Sequence, residues 1–149
     1  MNESPLHFSR TELLIGREAM DRMQRARVIL FGVGGVGSWC AESLVRSGIC
    51  RLTLVDSDRV SPTNINRQLP ATVRTVGRQK VEVLRERFME INPDAEIEAV
   101  TSAYSAETSD AFRLETYDYI LDAIDSLSEK VHLIRTATGL PRATFFSSM

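Results

Sequence analysis

The stretch "VILFGVGGVGSW", residues 28–39, decides the fold of this chain. A short apolar run at 28–31 is followed by Gly32-x-Gly34-x-x-Gly37, and a helix-like pattern then begins. This order is typical of a buried strand, a glycine turn that holds phosphate groups, and a helix N-terminus. The stretch therefore predicts the opening of a βαβ unit that binds a nucleotide.

Strand and helix patterns alternate along the rest of the chain. Residues that terminate helices stand between the patterns, at Gly48, at Asn92 before a proline, and at Gly139. This alternation predicts an α/β fold, Rossmann-like and doubly wound, with a mainly parallel sheet and helices on both faces. The predicted strands are 27–31, 51–56, 95–103, 117–125 and 141–149.

The chain divides into an arm and a domain. Residues 1–26 predict a helical N-terminal arm that Gly16 splits in two, and 27–149 predict the nucleotide-binding α/β domain. The last predicted strand has no helix after it to cover the sheet, so we expect this domain to be truncated at its C-terminus. Two capping boxes are predicted, one from Ser9 and Glu12 and one from Ser126 and Glu129.

Composition narrows the class of protein. Of 149 residues, 43% are hydrophobic and 26% are charged, which is typical of a globular domain. The net charge of −2 excludes a generally basic domain, so RNA binding would need a local patch. We expect no membrane segment and no secretion signal, and the two cysteines supply no disulfide framework. These features indicate a cytoplasmic protein.

The glycine turn alone leaves the nucleotide open. Asp56 follows Gly37 by nineteen residues and stands at the end of the second strand, where it can bind ribose hydroxyls. NAD and ATP both fit this pattern. An oxidoreductase and a nucleotide-binding module without catalysis therefore stay as alternatives.

Residues further along the chain favour ATP. Asn64, Arg67 and Gln68 lie in a long loop, 57–77, and Lys80 begins the next helix. Cationic side chains near a phosphate-binding turn suit a triphosphate that is attacked at its α-phosphate, because negative charge develops on the leaving pyrophosphate. Asp125 follows the fourth strand and can hold Mg²⁺ against the phosphates.

These motifs together resemble a known family. Gly-x-Gly-Gly-x-Gly-Ser, Asp-x-Asp, Asn-x-x-Arg-Gln, a lysine and Asp-x-x-Asp occur in this order. The chain resembles the ThiF, MoeB and ubiquitin-activating superfamily of adenylating enzymes. "GGVGSWCAESLVRSGI", "TNINRQ", "INP" and "DAIDS" look most like its tRNA threonylcarbamoyladenosine dehydratase branch. The resemblance extends over residues 7–149.

The resemblance implies roles for individual residues. Gly34 and Gly35 would line the nucleotide, Asp56 would bind the ribose, and Asp125 would be the acid linked to Mg²⁺. An arginine from the neighbouring subunit's arm completes such sites, and Arg10 is the candidate here. The residues implied in phosphate contacts are Asn64, Arg67 and Lys80, and those implied in catalysis are Arg67, Lys80, Asp125 and Arg10.

The resemblance also implies a reaction and partners. A carboxylate would attack ATP to form an acyl-adenylate, and in the dehydratase branch this carboxylate belongs to threonylcarbamoyladenosine in tRNA, which then cyclises with net loss of water. The implied partners are a tRNA substrate and a second copy of the chain in a homodimer. The alternative substrate is the C-terminus of a ubiquitin-like sulfur-carrier protein, with a sulfur-carrier or cysteine desulfurase system as partner.

Other polar residues have simpler interpretations. Asp58 is typical of a turn, and Asp122 predicts either a cap for the following helix or a role beside Asp125. Cys40 and Cys50 are expected to be small core residues. The five arginines that could form a local basic patch are Arg67, Arg74, Arg78, Arg85 and Arg87, the last two of which fit an ordinary solvated helix face equally well.

Overall fold

A computed structural model describes residues 6–148 and contains one sheet of five parallel strands. Its order is β3-β2-β1-β4-β5, so the chain adds strands on one side of β1 and then crosses to the other. This reversal creates a crevice at the carboxyl ends of the central strands, where open α/β sheets bind ligands. The predicted doubly wound parallel fold is confirmed. The strands are β1 Arg27–Phe31, β2 Arg51–Val55, β3 Glu96–Val100, β4 Tyr119–Asp122 and β5 Thr144–Ser147.

Five α-helices accompany the strands within residues 6–148. The predicted helix ends at Gly48, Asn92 and Gly139 are confirmed. At Gly48 the backbone φ is 117°, a left-handed conformation that favours glycine. Two short 3-10 helices, Ser109–Phe112 and Leu114–Thr116, lie between β3 and β4. The helices are α1 Ser9–Ile15, α2 Arg17–Arg25, α3 Gly37–Ser47, α4 Lys80–Ile91 and α5 Leu127–Thr138.

Both predicted capping boxes are wrong. Ser9 is already the first residue of α1, because a 3-10 turn at Leu6–Phe8 runs directly into the helix. Ser126 does precede α5, but its side chain makes no capping bond to the backbone. The Ser126 hydroxyl instead lies 3.3 Å from the hydroxyl of Ser128, which donates to the Glu129 carboxylate.

The hydrophobic core lies on both faces of the sheet. Val28 and Leu30 of β1 point to one face, which α3 and α4 cover, while Ile29 and Phe31 point to the other. Residues of α5 and of the segment between β3 and β4 cover that second face. All four of these β1 side chains are at most 2% exposed, as expected for a central parallel strand. The rigid core fixes where each strand ends and hence the shape of the crevice.

The two short helices α1 and α2 precede the sheet. Met20 of α2 is fully buried, and a Cβ at Gly48 would lie 2.3 Å from its Cε, so α2 packs closely on the end of α3. The α1 side chains Leu13 and Leu14 are 87% and 85% exposed. The division into an arm and a domain at residue 26 stays a prediction. No helix within residues 6–148 is long and apolar enough to cross a membrane.

Candidate nucleotide-binding site

A cleft of about 1150 Å³ opens at the carboxyl ends of β1, β2 and β4. Its floor is the glycine turn after β1, and its walls are the loop after β2 and the loop after β4. This is the crevice that the strand order creates. Nine of the predicted site residues line it: Gly32, Gly34, Gly35, Asp56, Asn64, Arg67, Gln68, Lys80 and Asp125.

The fold itself requires two of the glycines. Gly32 has a φ of 86°, and a Cβ there would lie 2.5 Å from the carbonyl oxygen of Ala123. A Cβ at Gly37 would lie 1.8 Å from the carbonyl oxygen of Gly32. Any side chain at either position would force the backbone of the turn to move. Gly37 therefore supports the turn from beneath and does not line the cleft.

The other two glycines are not required by the fold. A Cβ at Gly34 would lie 3.6 Å from the Gln68 amide nitrogen, and one at Gly35 would lie 3.6 Å from Cγ of Arg67. Both distances are ordinary van der Waals contacts. Because both glycines line the cleft, a missing Cβ there leaves room for a ligand to approach the backbone. This room fits a phosphate group on the turn.

Ser38, to which the sequence assigned no role, fixes the turn. Its side chain is fully buried, and its hydroxyl donates to the carbonyl oxygen of Gly34 at 2.5 Å and accepts from the Leu69 N–H at 3.2 Å. It therefore ties the glycine turn to the loop that carries Arg67 and Gln68. The Gly-Ser pair at the start of α3 was the available signal.

Asp56 is fixed by two backbone donors. Its Oδ2 accepts from the Val33 N–H at 2.9 Å, and its Oδ1 accepts from the Asp58 N–H at 2.8 Å. The carboxylate thus joins the end of β2 to the glycine turn. Each oxygen retains a further acceptor site, so the group can still accept hydrogen bonds from ribose hydroxyls.

Lys80 brings a buried positive charge to the cleft. Its side chain is 6% exposed, and its Nζ lies 3.0 Å from Oδ2 of Asp58, whose side chain is 67% exposed. A buried ammonium needs a partner, and here the partner is Asp58, whose sequence context is typical of a turn. Asp58 therefore also belongs to the cleft.

The loop after β2 places two amides and an arginine at the cleft. Asn64 is buried and accepts from the Ser61 N–H at 2.9 Å, which orients its amide. Gln68 is also buried, and its Oε1 has no hydrogen-bond partner among residues 6–148. An unpartnered buried polar atom indicates a position that a ligand can fill.

Arg67 is exposed, and its guanidinium meets no carboxylate in the part of the chain that the structure describes. It donates to the carbonyl oxygen of Thr63 and to Oδ1 of Asn66, both at 3.0 Å. The Trp39 indole N–H donates to the Arg67 carbonyl oxygen at 2.9 Å. The guanidinium charge is thus held at the edge of the cleft without being neutralised.

The loop after β4 separates the two predicted aspartates. Asp125 lies three residues past the strand end, is exposed, and lines the cleft. Asp122 is buried, and its Oδ2 accepts from Nζ of Lys130 and from the Ser147 hydroxyl, both at 2.7 Å. Asp122 therefore does not cap the N-terminus of α5, and its carboxylate is not available for a role beside Asp125. It joins β4, α5 and β5.

Lys130 is a cleft residue that sequence reasoning missed. Besides Asp122, its Nζ contacts the carbonyl oxygen of Ser148 at 2.8 Å, and its side chain is 17% exposed. A lysine in the second turn of the helix after an acidic strand end was the only available signal. Glu129 lines the cleft beside it.

Arg10 lies away from this cleft. It is exposed on α1 and does not line the pocket. Its predicted role needs a second copy of the chain and stays a prediction. No group of three or more histidine, cysteine or acidic side chains suited to a metal occurs within residues 6–148.

The cysteines differ from expectation, because Cys40 and Cys50 are half-buried rather than core residues. Burial raises the pKa of both thiols. A thiol with a raised pKa is a poor nucleophile at neutral pH. Neither cysteine lines the cleft.

Comparison with known proteins places this geometry in a family. Residues 8–148 match the ThiF family. The chain is 45% identical over 128 residues to the tRNA threonylcarbamoyladenosine dehydratase of Bacillus subtilis, covering 86% of this chain and 50% of that protein. It is 32% identical to the sulfur carrier protein adenylyltransferase of Thermus thermophilus, covering 85% of this chain and 46% of that protein.

A solved structure agrees. The Escherichia coli dehydratase TcdA in complex with ATP superimposes with a TM-score of 0.91 at 36% identity, covering 95% of this chain and 58% of that one. The chain thus spans about half the length of the relatives that it matches. The family match, the parallel sheet and the glycine turn agree with the resemblance seen in the sequence, and the chain belongs to the ThiF family.

Proposed function

We propose that this chain forms the ATP-binding part of an enzyme that activates a carboxylate by adenylation. The substrate we propose is threonylcarbamoyladenosine in tRNA, which cyclises with net loss of water. The observation that carries this proposal is the glycine turn, where Gly34 and Gly35 leave space at a cleft that also holds the buried ammonium of Lys80. The names of the similar proteins support the choice of reaction.

The cleft residues divide the work on ATP. Asp56 binds the ribose, and the backbone at Gly34 and Gly35 meets the phosphates. The substrate carboxylate attacks the α-phosphorus, so that a new P–O bond forms while the bond to the β-phosphate oxygen breaks and pyrophosphate leaves. Lys80 and Arg67 stabilise the negative charge that develops in this step.

When ATP binds, a phosphate replaces Asp58 as the partner of the Lys80 ammonium. Because the Asp58 side chain is 67% exposed, its carboxylate can turn into solvent when a phosphate takes its place at the ammonium. Asn64 and Gln68 supply amide groups to the phosphates, and the unpartnered Oε1 of Gln68 is available to a donor on the ligand. Each of these residues lines the same cleft.

Asp125 is the residue we propose for Mg²⁺. Its carboxylate is exposed in the cleft and has no recorded partner among residues 6–148, and Glu129 lies in the same wall. Bound Mg²⁺ would neutralise phosphate charge and orient the triphosphate. The role of the chain is to present the carboxylate of Asp125 at the mouth of the cleft.

After activation, an internal nucleophile of the modified nucleoside attacks the acyl carbon. The bond between the acyl carbon and the bridging oxygen then breaks, AMP leaves with that oxygen of the former carboxylate, and the nucleophile loses its proton. The nucleoside has thereby lost one water. We propose that the reaction takes place in the cytoplasm, where both ATP and tRNA are available.

We also propose a homodimer, which the exposed apolar side chains of α1, the helix that carries Arg10, support. Leu13 and Leu14 are almost fully exposed on the short helix that carries Arg10. A second copy can cover them and receive Arg10 at its cleft. Mixing Arg10→Ala subunits with Lys80→Ala subunits should then restore part of the activity; no rescue in a mixture shown to exchange subunits would contradict the arrangement.

The second candidate is adenylation of a sulfur-carrier protein, coupled to a cysteine desulfurase system. The similarity to the Thermus thermophilus adenylyltransferase favours it. Both candidates use the same ATP residues and differ only in the carboxylate. NAD binding stays as an alternative ligand for the glycine turn.

One experiment separates these functions. The full-length protein is incubated with ATP, Mg²⁺ and tRNA that carries threonylcarbamoyladenosine, and the nucleosides are analysed by mass spectrometry. Loss of one water, absent in the Lys80→Ala variant, supports the proposal. An unchanged nucleoside together with adenylation of a carrier protein's terminal glycine supports the second candidate, and calorimetry that shows tighter binding of NAD than of ATP would contradict both.

A further inference from the structure

The segment 59–79, which forms most of the loop between β2 and α4, differs in charge from the rest of the chain. It contains four arginines and no acidic residue, whereas the whole chain carries −2. The segment therefore has a charge of +4, and the remaining residues together carry −6. A local patch of this kind is what RNA binding requires of a protein with an acidic total charge. The four residues are Arg59, Arg67, Arg74 and Arg78.

Most of these charges are not neutralised. Arg59 donates to the carbonyl oxygen of Gly77 at 2.8 Å, and Arg67 likewise donates to a backbone carbonyl. The Arg74 guanidinium makes no hydrogen bond or ion pair within residues 6–148. Of the four, Arg78 alone forms an ion pair in the described part of the chain, with Glu86.

The arginines of α4 are different. Arg85 lies 3.6 Å from Glu82, and Arg87 binds Glu42 through two nitrogens. Their charges are compensated within the fold, so the helix face does not extend the patch. The structure thus separates the five arginines of the sequence-based patch into a loop group and a helix group.

The segment is folded and lies beside the cleft. The Val60 N–H donates to the carbonyl oxygen of Arg78, and the Gly77 N–H donates to that of Val60, both at 2.8 Å. These bonds bring Arg59 and Arg78 together. Arg67 lines the cleft itself, and Lys80 follows the segment directly.

An exposed aromatic ring lies next to this surface. The Trp39 side chain is 53% exposed, and its indole N–H is bound to the Arg67 carbonyl oxygen. Its orientation is therefore fixed while part of its ring faces solvent. Exposed aromatic rings beside arginines are the elements with which proteins bind single-stranded RNA, through stacking on bases and contacts to phosphates.

We propose that residues 59–79 together with Trp39 form an RNA-binding surface that presents a tRNA loop to the adenylation cleft. This proposal rests on the function proposed above, because an RNA substrate must reach the cleft with its carboxylate foremost. Arg59, Arg74 and Arg78 contact phosphates along the strand, and Trp39 stacks on an unpaired base. An acidic carrier protein is the competing occupant, but it offers no unpaired base to stack on the ring of Trp39.

The test measures binding of an unmodified tRNA transcript to the full-length protein over a range of salt concentrations. Arg74→Gln is the main variant because it breaks no side-chain hydrogen bond or ion pair in the described fold, and Arg59→Gln is compared with Arg59→Lys, which keeps the charge. We expect each charge-removing variant to weaken binding by about fivefold and to lower the salt slope by about 0.7 to 0.9 per lost contact. Arg59→Lys should retain most of the affinity.

Arg135→Gln is the matched control, since Arg135 is an exposed arginine on α5 outside the segment. Trp39→Ala should weaken RNA binding by about fivefold or more, and Trp39→Phe by less. ATP affinity, measured in parallel, should stay unchanged in all of these variants. A fall in ATP affinity with Trp39→Ala would mean that Trp39 acts through Arg67 and would overturn its stacking role.

Two results would overturn the proposal as a whole. One is equal tRNA affinity and salt slope in Arg74→Gln, Arg59→Gln and the Arg135→Gln control. The other is loss of carrier-protein binding in the loop variants while tRNA binding is unchanged. A protein that binds tRNA through this loop but fails to bind ATP would instead contradict the function proposed above, so the two failures are distinguishable.

Discussion

The two walls of the cleft each contain a lysine paired with an aspartate, and the two pairs are built in opposite ways. At the wall after β2, the ammonium of Lys80 is buried and the carboxylate of Asp58 is exposed, with 6% and 67% exposed. At the wall after β4, the carboxylate of Asp122 is fully buried and Lys130 is 17% exposed. This difference in burial indicates in which of the two pairs a ligand can replace the carboxylate.

The exposed member of a pair can be replaced, while the buried member cannot leave. The Asp58 carboxylate can turn into solvent, so an incoming phosphate can form the ion pair with Lys80 at little electrostatic cost. Asp122 instead accepts three hydrogen bonds inside the protein, from Lys130, Ser147 and the Ile124 N–H. We infer that the first pair serves the ligand and that the second holds β4, α5 and β5 together.

The largest effect is expected from breaking the buried pair. Lys130→Met should lower the free energy of unfolding by about 3 to 5 kcal/mol, because the charge of Asp122 is left buried without its partner. Chemical denaturation measures this loss. The double variant Asp122→Asn with Lys130→Met should recover a large part of it, since no buried charge then remains; equal losses in the single and double variants would show that the charge itself is not the cause.

The next largest effect concerns the exposed pair. Lys80→Ala should slow pyrophosphate release by about 10² to 10³-fold, as expected for removal of one charge-stabilising donor, while the protein stays folded. Asp58→Asn is the matched variant and should change the rate by less than about tenfold. A rate loss with Asp58→Asn as large as that with Lys80→Ala would contradict the view that phosphate displaces Asp58.

The glycine turn tests the same distinction between fold and ligand. Gly32→Ala should destabilise the protein by at least about 1 kcal/mol, because its Cβ would meet the Ala123 carbonyl and because φ is positive. Gly35→Ala should leave the thermal midpoint nearly unchanged and weaken ATP binding. Thermal unfolding and calorimetry measure the two effects, and equal destabilisation by both variants would remove the ligand-based explanation for Gly35.

The smallest effect is expected from a pair outside the cleft. Hydrogen bonds from Arg87 hold the pKa of Glu42 below its usual range, with Arg46 contributing. Since the folded pKa is the lower one, the stability from this group is complete above the unfolded glutamate pKa of about 4.3 and is lost as the pH falls through the folded pKa. Glu42→Gln should therefore flatten the acid side of the stability profile, which chemical denaturation over a pH series measures; an acid side as steep as that of the unmodified protein would contradict this role of Glu42.

The sequence was a better guide to backbone-determined features than to side-chain pairing. The turn at Gly32 and the position of Asp56 follow from local spacing, because a strand end and a glycine turn permit few conformations. The capping boxes failed for the opposite reason, since several local hydrogen-bond patterns were open to Ser9 and Ser126. The patterns that formed are themselves local, since a 3-10 turn places Ser9 inside α1 and the Ser126 hydroxyl lies beside that of Ser128.

The sequence by itself determined the alternation of strands and helices, the glycine turn and the set of residues at strand ends, because these depend on near neighbours along the chain. Only the tertiary structure decided that Lys80 pairs with Asp58 across 22 residues and that Asp122 is withdrawn into a pair with Lys130. It also decided that the fold has no room for a side chain at Gly32 but does have room for one at Gly35. Burial and charge pairing depend on which elements pack together, and the packing of the sheet is a property of the whole chain.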